Sequence, residues 1–274
     1  SKASYILIPL TGLIFLTLLT NNFENLTKFI GDYKNTVMVA NRTFGEVSFL
    51  MIYYKTISFL LFGLAYRLSK QETIKFDLLT TIIVLILFLA ASRAIYISTF
   101  LILIFHLYTK FFKKSTIKLY MFYVIGIYFS LLVIQPILSV FLNLNEPSNS
   151  IKFGFIKDYM HLWKIDSISL LTGNGIGSGI YSIERGFTYN LETTYLEILR
   201  IFGIFGSLIL FYILLYPLIR VILLSKKKHL NISHKYFLFA YLCFVFFVIP
   251  TNPLLLSSTG ALIVSVAYSI QTKF

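Results

Sequence analysis

The chain has 274 residues, of which 57% are hydrophobic, 18% aromatic and only 13% charged, with a mean hydropathy of +0.81. Soluble domains average about 45–50% apolar and about 25% charged residues, so a water-soluble core is excluded and one membrane domain over residues 1–274 is expected. The formal net charge of +13 does not point to nucleic acid, because most Lys and Arg lie between apolar runs, where membrane topology accounts for them.

In chain order, apolar runs near the roughly 20 residues that cross a bilayer are Ser4 to Thr20, Val47 to Tyr66, Asp77 to Ala91, Ala94 to Tyr108, Ile117 to Leu142, Gly203 to Leu224, Tyr236 to Ile249 and Leu254 to Ile270. Eight transmembrane helices are therefore expected, in an all-α polytopic bundle. The first run is followed by Asn21 and Asn22 rather than a small-residue cleavage site, so it reads as a span and not a removable signal. The chain opens on Ser1 instead of Met, which leaves room for upstream helices. The third and fourth runs are separated only by Ser92 and Arg93, and two helices are expected there because Asp77 to Tyr108 exceeds one bilayer.

Lysine and arginine collect at Arg67, Lys70 and Lys75, at Lys110, Lys113, Lys114 and Lys118, and at Arg220, Lys226, Lys227, Lys228 and Lys235. Eight alternating helices place all three clusters on one side, which the positive-inside rule makes cytoplasmic. Asn21 to Glu46, the Ser92-Arg93 turn, Asn143 to Asn190 and Thr251-Asn252-Pro253 then face outward.

The long outer segment, Asn143 to Asn190, carries Ile156, Tyr159, Met160 and Trp163 at helical spacing, with Lys157, Asp158, His161 and Lys164 at other positions. This predicts an amphipathic helix able to lie on the membrane surface. Cys243 is the only cysteine and sits in an apolar run, so no disulfide framework is available, and the four dispersed histidines give no zinc-site spacing.

Arg93 interrupts apolar sequence with no loop to carry it into water. A guanidinium there either holds a phosphate or pyrophosphate in an outward cavity or anchors at the headgroups. Lys55 falls midway through the second expected span, a costly place for an ammonium group. Gly173-Asn174-Gly175-Ile176-Gly177-Ser178-Gly179 lacks the Gly-Lys-Ser/Thr ending of a nucleotide loop and reads as a turn that shapes the outer segment against the helices, with substrate contact as the alternative. Beyond it, Arg185, Glu192, Tyr195, Glu197 and Arg200 gather ionisable groups where the chain re-enters apolar sequence. A Glu197–Arg200 pair is within reach and would by itself be structural.

Three of these features together resemble the O-antigen polymerase and O-antigen ligase superfamily of bacterial surface-polysaccharide enzymes. They are Ser92-Arg93 at an outer helix end, Leu171 to Ser178, similar to the family's Gly-x-Gly-x-Gly segment, and Glu192 to Gly206, similar to its His-Asn/Ser, nine residues, Gly-x-x-Gly segment. The resemblance covers roughly Asp77 to Leu224. Glu192 stands where ligases carry histidine, which favours a polymerase. Lys152 or Lys157 stands in for an arginine that many members carry in the outer helix.

The resemblance implies a metal-independent glycosyltransferase without a cofactor, at the outer face of the bacterial cytoplasmic membrane. Its partners would be an undecaprenyl-pyrophosphate-linked glycan donor and acceptor, membrane lipid and a chain-length regulator protein. Arg93 and Glu192 are the expected catalytic residues, with Arg93, Arg185, Arg200, Lys157, His161, Asn174 and Tyr195 binding substrate. An O-antigen ligase, a flippase or transporter of lipid-linked sugars, a cell-wall glycan polymerase and a non-catalytic scaffold are the alternatives.

Overall fold

A computed structural model describes residues 2–19, 37–44, 47–71, 77–111, 147–183, 186–189, 193–225, 231–251, 255 and 257–271. The described chain is mostly helical. It forms two compact units, one from Ser1–Tyr120 with His229–Val248 and one from Met121–Lys228 with Ile249–Phe274.

In the first unit a 3-10 turn, Lys2–Ile6, leads into α1 (Leu7–Leu19). The expected helix Val47 to Tyr66 is not one helix. Its first part is strand β2 (Val47–Tyr54), paired antiparallel with β1 (Val37–Phe44) in a register that sets Phe44 opposite Val47. The signals were local: Val47-Ser48-Phe49-Leu50-Met51-Ile52-Tyr53-Tyr54 is rich in β-branched and aromatic residues, and the sequence just before it holds a Gly-Glu pair, a composition that favours hairpin turns. A run apolar on every side has no period to tell strand from helix.

The chain turns helical at Lys55–Ser58 and continues as α2 (Phe59–Lys70). Lys55 is exposed at this change from strand to helix, not within one continuous helix as the sequence suggested. The buried Tyr54 hydroxyl lies 2.6 Å from Thr11 Oγ1 and donates to the Leu7 carbonyl, joining β2 to α1.

Leu60, Leu61, Leu64, Ala65 and Leu68 of α2 are fully buried, and α2 packs on α8 (Ile232–Cys243) with Phe62 and Phe237 ring centroids 5.1 Å apart. Asp77 caps α3 (Leu78–Leu89) by accepting from Thr80 N–H, and it also pairs with Arg67. The α3 helix ends at Ala90, and α4 runs Arg93–Phe111. The break expected at Ser92-Arg93 is therefore present. In α4, His106 Nδ1 and Thr109 Oγ1 lie 2.7 and 2.6 Å from the Tyr236 hydroxyl of α8, and Cys243, at the end of α8, is buried.

The second unit contains α5 (Pro147–Ile165), α6 (Ser167–Thr172), a small hairpin of β3 (Ile180–Ser182) and β4 (Gly186–Thr188), α7 (Thr194–Ser225) and α9 (Ser258–Gln271). The helix expected in the outer segment is α5, but it turns differently. Phe155, Asp158 and Tyr159 are buried, while Ile156 and Met160 are exposed. The inward arc is set by contact with Ile180 and Leu196, not by apolarity alone.

Pro217 within α7 cannot donate to the Ile213 carbonyl four residues earlier, and the Tyr268 hydroxyl of α9 donates there instead, at 2.7 Å. Among the described residues one helix, Thr194–Leu223, is long and apolar enough to cross a membrane, and Ser4–Leu16, Leu78–Leu89, Ile232–Val248 and Ser258–Ile270 are shorter apolar helices. The expected span Ile117 to Leu142 lies outside the described residues.

Candidate functional site

The candidate site is built on a reversal in α7. Gly203 has φ 63° and ψ −174°, a region essentially confined to glycine. Tyr195 and Phe211, each eight residues from Gly203, have ring centroids 4.8 Å apart. In a straight helix they would be about 24 Å apart along the axis, so the two arms fold back on each other. The Gly-x-x-Gly spacing has a mechanical explanation. Gly203 makes the turn, and Gly206 leaves room for Phe202, whose Cβ would lie 2.7 Å from a Cβ at position 206.

Ending a helix at Gly203 removes the donors that its last carbonyls would have used. The glycine segment supplies replacements: Asn174 N–H donates to the Arg200 carbonyl at 2.7 Å and Gly175 N–H to the Ile201 carbonyl at 3.0 Å. The approach is close enough to require glycine on both sides. A Cβ on Gly173 (φ 80°) would sit 2.3 Å from Ile201 O, and one on Gly203 would sit 2.2 Å from Leu171 O. The segment therefore meets the Gly203 reversal through backbone contacts.

Beside this crossing lies a buried charged cluster. Arg200 and Glu197 are each 1% exposed and form a two-pronged pair, Nε to Oε2 at 3.0 Å and Nη2 to Oε1 at 2.5 Å. Arg200 Nη1 donates to the carbonyl and the hydroxyl of Ser178, both at 2.8 Å, and Nη2 donates to the Tyr189 carbonyl at 3.3 Å. A guanidinium has five N–H groups, and these five contacts use all of them. Tyr159 donates to Glu197 Oε2 at 2.7 Å. Burial, then the neighbouring Glu197 charge, pushes its phenol well above the ordinary range, so it stays a neutral donor.

This cluster holds the start and end of the β3–β4 hairpin against α5 and α7. The geometry thus gives Arg200 the structural role of its pair with Glu197 and leaves it no donor for a pyrophosphate. Tyr159 was missed as a polar partner because its phenol lies in an apolar stripe. The available signal is that a buried tyrosine hydroxyl requires an acceptor.

The remaining expected residues are distributed as follows. Asn174 has an exposed side chain at the crossing, and Tyr195 is half-buried against Phe211. Lys157 and His161 are exposed on the side of α5 opposite Tyr159, directed away from the Arg200 cluster. Arg185 and Glu192 lie outside the described residues.

Arg93 belongs to the first unit, half-buried in the first turn of α4. The preceding break is tight: Ala91 has φ 43°, a strained value for a residue with a Cβ, and the Tyr96 hydroxyl donates to the Phe88 carbonyl at 2.7 Å. No protein-family model matches the chain, nor does any curated protein or solved structure.

Proposed function

We propose that this chain is a polytopic membrane glycosyltransferase that polymerises undecaprenyl-pyrophosphate-linked oligosaccharide repeat units on the outer face of the bacterial cytoplasmic membrane. The membrane reading is supported by apolar side chains exposed along several helices. They include Leu13 and Leu16 of α1, Leu85 and Phe88 of α3, Phe205, Leu208 and Ile209 of α7, and Leu262 of α9. Surfaces of this kind are unfavourable in water and suit lipid.

The observation that carries the enzymatic reading is the union of the two glycine segments. Leu171 to Ser178 and Glu192 to Gly206 resemble separate family motifs, and backbone hydrogen bonds from Asn174 and Gly175 to Arg200 and Ile201 join them at one crossing. Two motifs that meet this closely have a common purpose: to present the residues flanking the Gly203 reversal from a rigid support.

In the proposed reaction an acceptor sugar hydroxyl attacks the anomeric carbon of the donor. The carbon–oxygen bond to undecaprenyl pyrophosphate breaks, and the proton passes to a carboxylate. Glu192 is assigned that base, contributing on the order of 10²–10⁴-fold. By the resemblance, Arg93 is assigned the negative charge that develops on the leaving pyrophosphate, with Arg185 the other arginine the sequence offers for that role. Asn174 and Tyr195 flank the acceptor. No metal is needed in this scheme, because the donor already carries a good leaving group.

The test is glycan length in cells carrying Arg93→Ala or Glu192→Gln at normal protein level. Loss of long polymer with accumulation of single repeat units is expected for each. Full-length polymer from Arg93→Ala removes the phosphate assignment, and full-length polymer from Glu192→Gln removes the base.

A further inference from the structure

The exposed side of α5 has a pattern that water does not explain. At 3.6 residues per turn, Phe153, Ile156 and Met160 share an arc of roughly 60°. Lys157, His161 and Lys164 occupy the next arc of about the same width. All six are exposed, and the half-buried Trp163 lies at the apolar edge. The acid of this helix, Asp158, turns inward and is only 8% exposed. A solvated helix turns apolar side chains in and charge out, whereas α5 exposes apolar groups beside cations and buries its carboxylate.

Beyond α5, exposed apolar groups recur at its C-terminal end and on α6. Ile165, at the end of α5, and Ile168 and Leu171, on α6, are exposed at 74%, 69% and 46%. The Gly173 end of α6 is fixed to the Gly203 reversal by the Asn174 and Gly175 hydrogen bonds. At that level the apolar arm of α7 begins, with Phe205 66% and Leu208 62% exposed. The exposed apolar groups of α6 therefore lie beside the start of the apolar arm of α7.

We infer that α5 lies on an anionic phospholipid surface. Phe153, Ile156 and Met160 enter the boundary between headgroups and acyl chains, and Lys157, His161 and Lys164 meet the headgroup phosphates. Each lysine held at an anionic surface is worth about fivefold in local affinity for charged lipid, so the two together give about thirtyfold. This inference rests on the membrane reading proposed above and not on the reaction.

Trp163 is the chain's single tryptophan and stacks on Tyr159 with ring centroids 5.7 Å apart, so it reports on α5 without labelling. The full chain is reconstituted into vesicles of mixed phosphatidylglycerol and phosphatidylcholine, with one or the other lipid brominated near the headgroup end of its acyl chains. Quenching by the brominated anionic lipid is expected to exceed that by the zwitterionic one by about twofold or more. A Lys157→Gln/Lys164→Gln variant with an unchanged melting temperature should abolish the difference.

Equal quenching by the two lipids in the native chain overturns anionic recognition. Absence of quenching in a chain that resists alkaline extraction from the vesicles overturns the docking while leaving the membrane reading intact. If that same chain cross-links to a second copy through α5, the face is a protein interface instead. A chain that washes off the vesicles overturns the membrane reading as well.

Discussion

Replacing Arg200 by alanine should release the β3–β4 hairpin from its support. The change leaves the Glu197 carboxylate buried with the Tyr159 hydroxyl still donating to it, and it removes the donors to the Ser178 and Tyr189 carbonyls. Breaking one side of a buried ion pair costs about 3–5 kcal/mol, because the other charge is stranded. Hydrogen exchange measures this directly at the Asn174 and Gly175 amides, whose acceptors are the Arg200 and Ile201 carbonyls. If the hairpin opens as a unit, 3 kcal/mol or more accelerates exchange there by about a hundredfold or more. Replacing Arg200 and Glu197 together by Met and Leu should recover much of the loss, since an apolar pair of similar volume leaves no stranded charge. Unchanged protection in Arg200→Ala, with weakened binding of the lipid-linked donor, would show that the guanidinium serves substrate and would refute the structural role.

Gly203→Ala should straighten α7, because its Cβ meets Leu171 O and the glycine-only backbone carries strain of about 1–3 kcal/mol for other residues. Spin labels at positions 195 and 211, in a Cys243→Ser background, should move from close contact to about 24 Å of axial separation, and an unchanged short distance would contradict the reversal. Tyr268→Phe should lower stability in a bilayer by about 1 kcal/mol, read as a lower melting temperature, because the Ile213 carbonyl that Pro217 leaves open loses its donor. The raised Tyr159 pKa gives stability that is intact below the ordinary phenol value of about 10 and is lost as pH rises above it, since the unfolded chain ionises first. Tyr159→Phe should flatten that alkaline slope in melts followed through Trp163, and an identical slope in the variant would place its origin elsewhere.

The parts of this architecture legible in sequence were those set by residues close along the chain. The break at Ser92-Arg93 follows from a helical run too long for one bilayer, and the existence of α5 follows from its spacing. Gly203 was recognised as the edge of a span, and Glu197 and Arg200 as a possible pair one turn apart. What was hidden depends on distant contacts. The strand Val47–Tyr54 is the exception: its signals were local, but apolarity alone does not separate it from a helix. The facing direction of α5 is decided by Ile180 and Leu196. Tyr159 meets Glu197 across 38 residues, and the folding back of α7 shows only through its ring contact and the glycine crossing.

The most direct measurement is extension of a purified lipid-linked repeat unit by the purified chain in vesicles, without added metal. A ladder of longer glycans that fails to form with Arg93→Ala is the expected result. Transbilayer movement of the repeat unit with no elongation would contradict the polymerase and support a carrier in its place.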